Sequence, residues 1–342
     1  TISNESNTSG PYAYITNYGS NNVSVIDTAN GTVLAIIAVG YGPYGVTVSP
    51  DATRVYVANY VGSSVSVIDA ATNSVLATVP IATRPYGLAI SPDGRHVYVV
   101  AYYSNNVSVI DTASNTVTAT IPVGQRPHGV VVSRDSKQVY VANYATNDIT
   151  VIDATLNSVA ATIPLPANSN PFGLAQTLDS SKLYVTGWSS NAVYVVDTAR
   201  KAVTATIPVG VRPVSAAVTP DASRVYVSNY NGSTSITSVS VIDAASNTVL
   251  TNIPLPSGVA PSGVSVHPDG DWVYVASYST GVVFVIDAAS NTITNTVMVG
   301  TRPYAFGSFI SLPQPTLSLD APRSSFLNNP VPTFIFSYGT QC

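Results

Sequence analysis

One short string dominates this chain: V-x-V-[IV]-D, with isoleucine opening the fourth copy. It recurs seven times, ending at Asp27, Asp69, Asp111, Asp153, Asp197, Asp243 and Asp287. The copies lie 42, 42, 42, 44, 46 and 44 residues apart. Two further markers keep the same period. A string opening Tyr-[Ile/Val] starts at Tyr14, Tyr56, Tyr98, Tyr140, Tyr184, Tyr226 and Tyr274, and a proline closes each unit at Pro43, Pro85, Pro127, Pro171, Pro213, Pro261 and Pro303. Three markers repeating sevenfold restrict the chain to architectures built by stacking one supersecondary unit.

Each unit reads as four short strands. In the second copy Tyr86–Ser91 is apolar, and Pro92-Asp93-Gly94-Arg95 supplies the residues of a tight turn. Val97–Tyr102 follows, then a Ser104-Asn105-Asn106 loop, then Val107–Asp111, a turn over Thr112–Asn115, and Val117–Val123. Val, Ile, Thr and Tyr dominate, as pleated strands prefer, and no segment has a helical period. Four-stranded units at this spacing predict an all-β fold, a seven-bladed β-propeller. A lone sheet of this kind leaves apolar faces open, whereas blades set around an axis bury them against their neighbours.

The order of strands also predicts how the ring closes. The chain opens at Tyr12–Tyr18 with a second-strand sequence that has no first strand before it. The repeats end at Arg302–Ile310 with a first-strand sequence that has no second strand after it. The C-terminal strand is expected to complete the N-terminal blade, leaving no open edge. The organisation is then a polar segment over residues 1–10, the propeller over 11–313, and a strand-forming tail over 314–342.

Charge narrows the function classes. Only 9% of the 342 residues are charged and the net charge is -4, against roughly 25% charged residues in an ordinary domain. No basic face is available to neutralise phosphates, which argues against nucleic acid as a partner. No apolar run is long enough for a transmembrane helix, and the polar start at Thr1 would suit a processed end. The one cysteine, Cys342, can form a disulfide only with another chain.

The motifs resemble the YVTN-type β-propeller repeat, as in Tyr14-Ile15-Thr16-Asn17 and Tyr56-Val57-Ala58-Asn59, with the accompanying Ser91-Pro92-Asp93-Gly94 turn and the Val107–Val117 segment. The likeness covers about residues 11–313 and is nearest to the propeller domain of archaeal surface-layer proteins. It implies an extracellular or cell-surface location and a structural or interaction role, and it carries over no catalytic residue.

The acids fit a non-catalytic chain. Seven are the repeat aspartates, and six more, Asp51, Asp93, Asp135, Asp179, Asp221 and Asp269, stand in the first hairpin of a unit, leaving Glu5, Asp148, Asp271 and Asp320. Residues repeated by symmetry read as turn caps, since aspartate bonds nearby backbone N–H groups. The three histidines, His96, His128 and His267, have no metal-ligand spacing. His128 fills a slot held by Tyr44, Tyr86, Phe172 and Tyr304 and reads as a packing ring. No cofactor and no metal site is expected.

The candidate binding feature is a rim. Each second strand ends on an aromatic, Tyr18, Tyr60, Tyr102, Tyr144, Trp188, Tyr230 or Tyr278, and Arg84, Arg126, Arg212 and Arg302 precede the repeat proline. In a propeller the loops carrying both sets share one face. Aromatics and arginine are the usual anchors of interfaces, and flat rings would also suit sugars. The competing account is that each ring packs on its neighbouring proline or arginine and seals the blade junction. In the tail, Leu317, Leu319, Val331, Phe334, Phe336, Tyr338 and Cys342 are candidates for linking subunits by strand addition. Sequons at Asn22, Asn106 and Asn231, read as loop positions, are the better glycosylation candidates.

The leading expectation is an extracellular structural or adhesive protein, not an enzyme, whose partners are copies of itself or other surface proteins. A carbohydrate-binding module using the aromatic rim is the first alternative. A propeller lyase or lactonase is the second, and it would need an asymmetric polar cluster that the scattered Asp148, Asp271 and His267 do not supply.

Overall fold

The computed structural model describes residues 10–230 and 237–313. Their regular structure is all strand. Six four-stranded antiparallel sheets and one three-stranded sheet succeed one another along the chain, each strand bonded to the next in sequence. Blade 1 comprises Pro43–Val48, Arg54–Asn59, Ser64–Asp69 and Ser74–Pro80, and blade 2 comprises Pro85–Ile90, His96–Ala101, Asn106–Asp111 and Thr116–Pro122. Blades 3 to 6 repeat the plan from Pro127, Pro171, Pro213 and Pro261. Strand bounds in blade 2 fall within one residue of those read from the sequence.

Burial follows from the position of each strand. Second and third strands are buried on both faces, as in Val97–Ala101 and Val107–Ile110, because a neighbouring blade covers each side. The seven repeat tyrosines, from Tyr14 to Tyr274, are 0–1% exposed and are the largest side chains packed between blades. Outermost strands have one covered face, so Thr116–Pro122 buries only Ile121. Every third-to-fourth strand pair also shifts register at one point, such as Val109/Ile110, and such a bulge adds twist at the rim.

Innermost strands meet at the axis through glycine. A Cβ on Gly87 would stand 2.3 Å from the His128 carbonyl oxygen, and one on Gly173 would stand 2.4 Å from that of Val214. No side chain fits between backbones at that distance.

Closure occurs at the predicted place. Blade 7 holds Tyr12–Asn17, Asn22–Asp27 and Thr32–Ala38. The chain after Arg302 lies beside Tyr12–Asn17, bridging Asn17 to Pro303 and Ala13 to Ile310 in antiparallel sense. Backbone bonds run from Tyr14 N–H to Phe309 O (2.8 Å), from Tyr304 N–H to Thr16 O (2.9 Å) and from Ser311 N–H to Tyr12 O (2.9 Å). This segment is not the continuous strand that the sequence suggests. Its backbone turns left-handed at Ala305 and positive again at Gly307, with φ of 47° and 122°. Phe306 thereby bridges Gly45 of blade 1 in parallel sense.

The aspartates are turn caps. Each of the thirteen repeat aspartates accepts a backbone N–H two or three residues on: Asp111 from Ser114, Asp179 from Ser181, Asp269 from Asp271. Bonds from Thr177 and Ser181 hold the Asp179 carboxyl down at about 2. Side-chain or backbone bonds likewise lower Asp135, Asp221, Asp69, Asp111, Asp243 and Asp287. A carboxyl depressed in the folded state adds stability above its unfolded pKa of about 3.9 and loses it as pH falls through the folded value. Thermal midpoints should therefore stay level from pH 7 to about 4.5 and fall between about pH 4 and 2. A midpoint that declined steadily from pH 7 would show that these bonds do not persist in solution.

Candidate functional site

The face carrying the connections between blades is layered. Its inner layer is the residue after each repeat proline: Tyr44, Tyr86, His128 and Phe172 are 5–7% exposed. Tyr44 stacks on Tyr304 with centroids 3.7 Å apart, and its hydroxyl meets that of Tyr86. His128 lies 4.5 Å from the Tyr86 ring and 4.3 Å from Phe172. Burial drives its imidazole down to about 3, so His128 is a neutral ring whose Nδ1 lies 2.9 Å from the Arg126 carbonyl oxygen. Phe306 enters from the closing segment, 5.7 Å from both Tyr86 and Phe172. An aromatic plug thus stops one end of the central channel.

The predicted rim surrounds this plug. Tyr18, Tyr60, Tyr102, Tyr144, Trp188, Tyr230 and Tyr278 are all half-buried. One bond, repeated seven times, places them. The backbone N–H of each aromatic donates to the carbonyl of the residue before the repeat proline of its own blade, as in Tyr102 to Arg84 (3.1 Å) and Tyr230 to Arg212 (3.0 Å). All four rim arginines take left-handed φ of 52–57°, a costly conformation for a side-chain-bearing residue. Loops of the preceding blade help to hold two of them: Asn105 accepts from Arg126 N–H at 2.9 Å and Asn191 from Arg212 N–H at 3.0 Å.

This backbone turns the guanidinium groups onto the rings. Arg84 lies 5.2 Å from the Tyr60 centroid, Arg126 6.0 Å from Tyr102, Arg212 5.7 Å from Trp188 and Arg302 5.7 Å from Tyr278. Such pairs contribute about 0.5–1 kcal/mol each when exposed. Trp188 also stacks on Phe172 and Tyr230, which leaves little free ring for a sugar. Local packing, the bland account of the rim, is what the geometry displays.

Three residues that the repeat did not flag are exposed on this face. Tyr41 is 70% exposed, Tyr103 55% and Val61 54%. Val61 N–H donates to Tyr41 O, and Arg84 lies 4.9 Å from the Tyr103 ring as well as over Tyr60. They form a patch across blades 1 and 2. They escaped notice because they sit in loops outside the repeat markers.

The remaining candidates scatter. Asn22 and Asn106 begin third strands and are half-buried, so they are not loop residues; Asn22 Oδ1 accepts from Asn17. Asn231 and the tail candidates Leu317, Leu319, Val331, Phe334, Phe336, Tyr338 and Cys342 lie outside the described residues. On the opposite face His267 bridges Asp269 (2.7 Å from Nδ1) and Thr28 (3.2 Å from Nε2). The set looks like a relay for a hydroxyl nucleophile, but the Thr28 hydroxyl donates to Pro11 O at 2.5 Å. Its proton is not available to the imidazole, as nucleophilic catalysis requires.

Two family models match the chain. That of the YNCE-like β-propellers covers residues 10–135, and that of the seven-bladed β-propeller lactonases covers residues 182–302. Both models describe β-propellers, in agreement with the fold. Neither model spans half of it, and the surface-layer likeness of the repeat motifs is finer than these matches show.

Solved propellers agree in shape. Hydrazine synthase of Kuenenia stuttgartiensis is 24% identical over 76% of this chain and 88% of its own, with a TM-score of 0.70. A functionally unknown protein from Desulfotomaculum acetoxidans DSM 771 is 15% identical over 88% of this chain and 99% of its own, at 0.75. The dihydro-heme d1 dehydrogenase NirN, solved in complex with DHE, is 16% identical over 87% of this chain and 75% of its own, at 0.65. At these identities the likeness is one of fold. No curated protein matches the propeller.

Proposed function

We propose that this propeller is a non-catalytic interaction protein of the cell exterior, which assembles with copies of itself through its aromatic-arginine face. The observation that carries this is the Tyr41, Val61 and Tyr103 patch beside Arg84. Apolar and aromatic side chains exposed together mark interaction sites, and tyrosine and arginine dominate the energetics of interfaces. A second copy suits the surface because 9% charged residues and a net charge of -4 leave little repulsion between chains. The repeat motifs add the expectation of a surface location. The carboxylates support a non-catalytic role, being engaged by their own turns, and the stacked state of Trp188 favours protein over glycan.

Sedimentation of the full chain and of a Tyr41→Ser, Val61→Ser, Tyr103→Ser variant tests the assignment. The parent is expected to associate as its concentration rises, and the variant to remain a folded monomer. A parent that stays monomeric at millimolar concentration, or a variant that associates equally, would overturn it. So would hydrolysis of a lactone by the pure parent that is lost on His267→Ala.

A further inference from the structure

Repetition makes departures from the pattern legible, and two of them meet at one mouth. The innermost strands enclose a central cavity of about 1030 Å³. Its inner end is Phe306, beneath the aromatic plug, and its open end is the ring of hairpin turns on the opposite face. It is a blind funnel. Its wall near the mouth is formed by the last residue of each innermost strand: Val48, Ile90, Val132, Val218 and Val266, with Gln176 alone polar. The next ring outward, the residue opening each turn, reads Pro50, Pro92, Pro220 and Pro268, with Leu178 in blade 4 and Arg134 in blade 3.

Arg134 and Gln176 converge on one residue. The backbone N–H of Arg134 donates to Ser180 Oγ at 2.9 Å, and the Gln176 side chain donates from Nε2 to Ser180 O at 3.4 Å. The Arg134 guanidinium has no acceptor among the described residues, and Gln176 Oε1 is likewise unbonded there. Two aspartates share the mouth, but both turn inward to their own hairpins. Asp93 accepts from Ser91 Oγ and Arg95 N–H, and Asp135 from Ser133 Oγ and Lys137 N–H. The wall is mixed, with Thr47, Ser215, Ser265 and Ser308 among its valines, alanines and leucines, and a concave site of this size with a few convergent polar groups is the usual form of a small-molecule site. A guanidinium fork matches a carboxylate with two parallel bonds.

We propose that the funnel binds an amphipathic carboxylate, with its hydrocarbon chain inside and its carboxylate on Arg134 and Gln176. The site lies on the face opposite the proposed assembly surface, so either assignment can fail without the other.

Titration calorimetry of the full chain with dodecanoate, below its micellar concentration, tests this, with dodecanol as the uncharged probe. Dodecanoate is expected to bind one per chain. Arg134→Gln, at an exposed turn, should weaken it at least tenfold while leaving dodecanol within twofold. Ala217→Phe, which narrows the funnel, should abolish both in a protein with unchanged circular dichroism. No binding of dodecanoate, equal binding to Arg134→Gln, or undiminished binding to a folded Ala217→Phe would each overturn the proposal.

Discussion

Phe309→Ala should destabilise this propeller by about 3–5 kcal/mol, lowering the thermal midpoint by roughly 5 °C. Phe309 is fully buried where the ring closes, in one cluster with Ile15 of blade 7, Val46 of blade 1 and Ala276 of blade 6. Its carbonyl accepts from Tyr14 N–H, part of the bonding that holds the closing segment to the N-terminal strand. Removing the ring leaves a cavity between three blades, and the sheets around it are too tied to collapse. The nearby Leu312→Ala is the control: Leu312 is 51% exposed, so its loss should stay within about 0.5 kcal/mol. Equal midpoints for the two variants would mean that the closing segment is not packed as described.

Gly129→Ala should cost about 3 kcal/mol by the opposite mechanism, overpacking. A Cβ there would stand 2.5 Å from the Phe172 carbonyl oxygen and 3.2 Å from Leu174 N. Both are backbone atoms of the next blade, and neither can move without opening the junction at the axis. Blade 5 shows what a side chain needs at this position. Ser215 stands there in a different register, paired with Ser228, and its hydroxyl receives Val264 N–H at 3.4 Å. Ser215→Ala should therefore cost only about 1 kcal/mol, the net worth of one hydrogen bond. Chemical denaturation of both variants checks the contrast, and a Gly129→Ala protein as stable as the parent would refute the close approach.

Much of the fold was legible because strand propensity, turn chemistry and burial all recur with one period. The Val107–Asp111 string specifies a strand buried on both faces, and the Pro92-Asp93-Gly94 turn ends the strand before it. Backbone bonds join the rim aromatics to the residues before the repeat prolines, an adjacency that follows from chain direction alone. The energetics of the rim were not legible. The arginines reach the rings only because they take a left-handed conformation before proline, and no residue pattern signals that an arginine will do so. The sequence reading did not single out Arg134 or Gln176, because their meeting at Ser180 depends on how blades 3 and 4 abut.

The sequence by itself determined the blade, the number of blades and the pairing that closes the ring, because each is set by local residue patterns and by the order in which they occur. Only the tertiary structure decided what stands at the axis. A segment reading as an ordinary first strand instead turns at Ala305 and Gly307 and sends Phe306 into the channel. Seven backbones converging on one axis leave a space whose shape no single unit encodes, and the closing segment takes a conformation that puts Phe306 at one end of it.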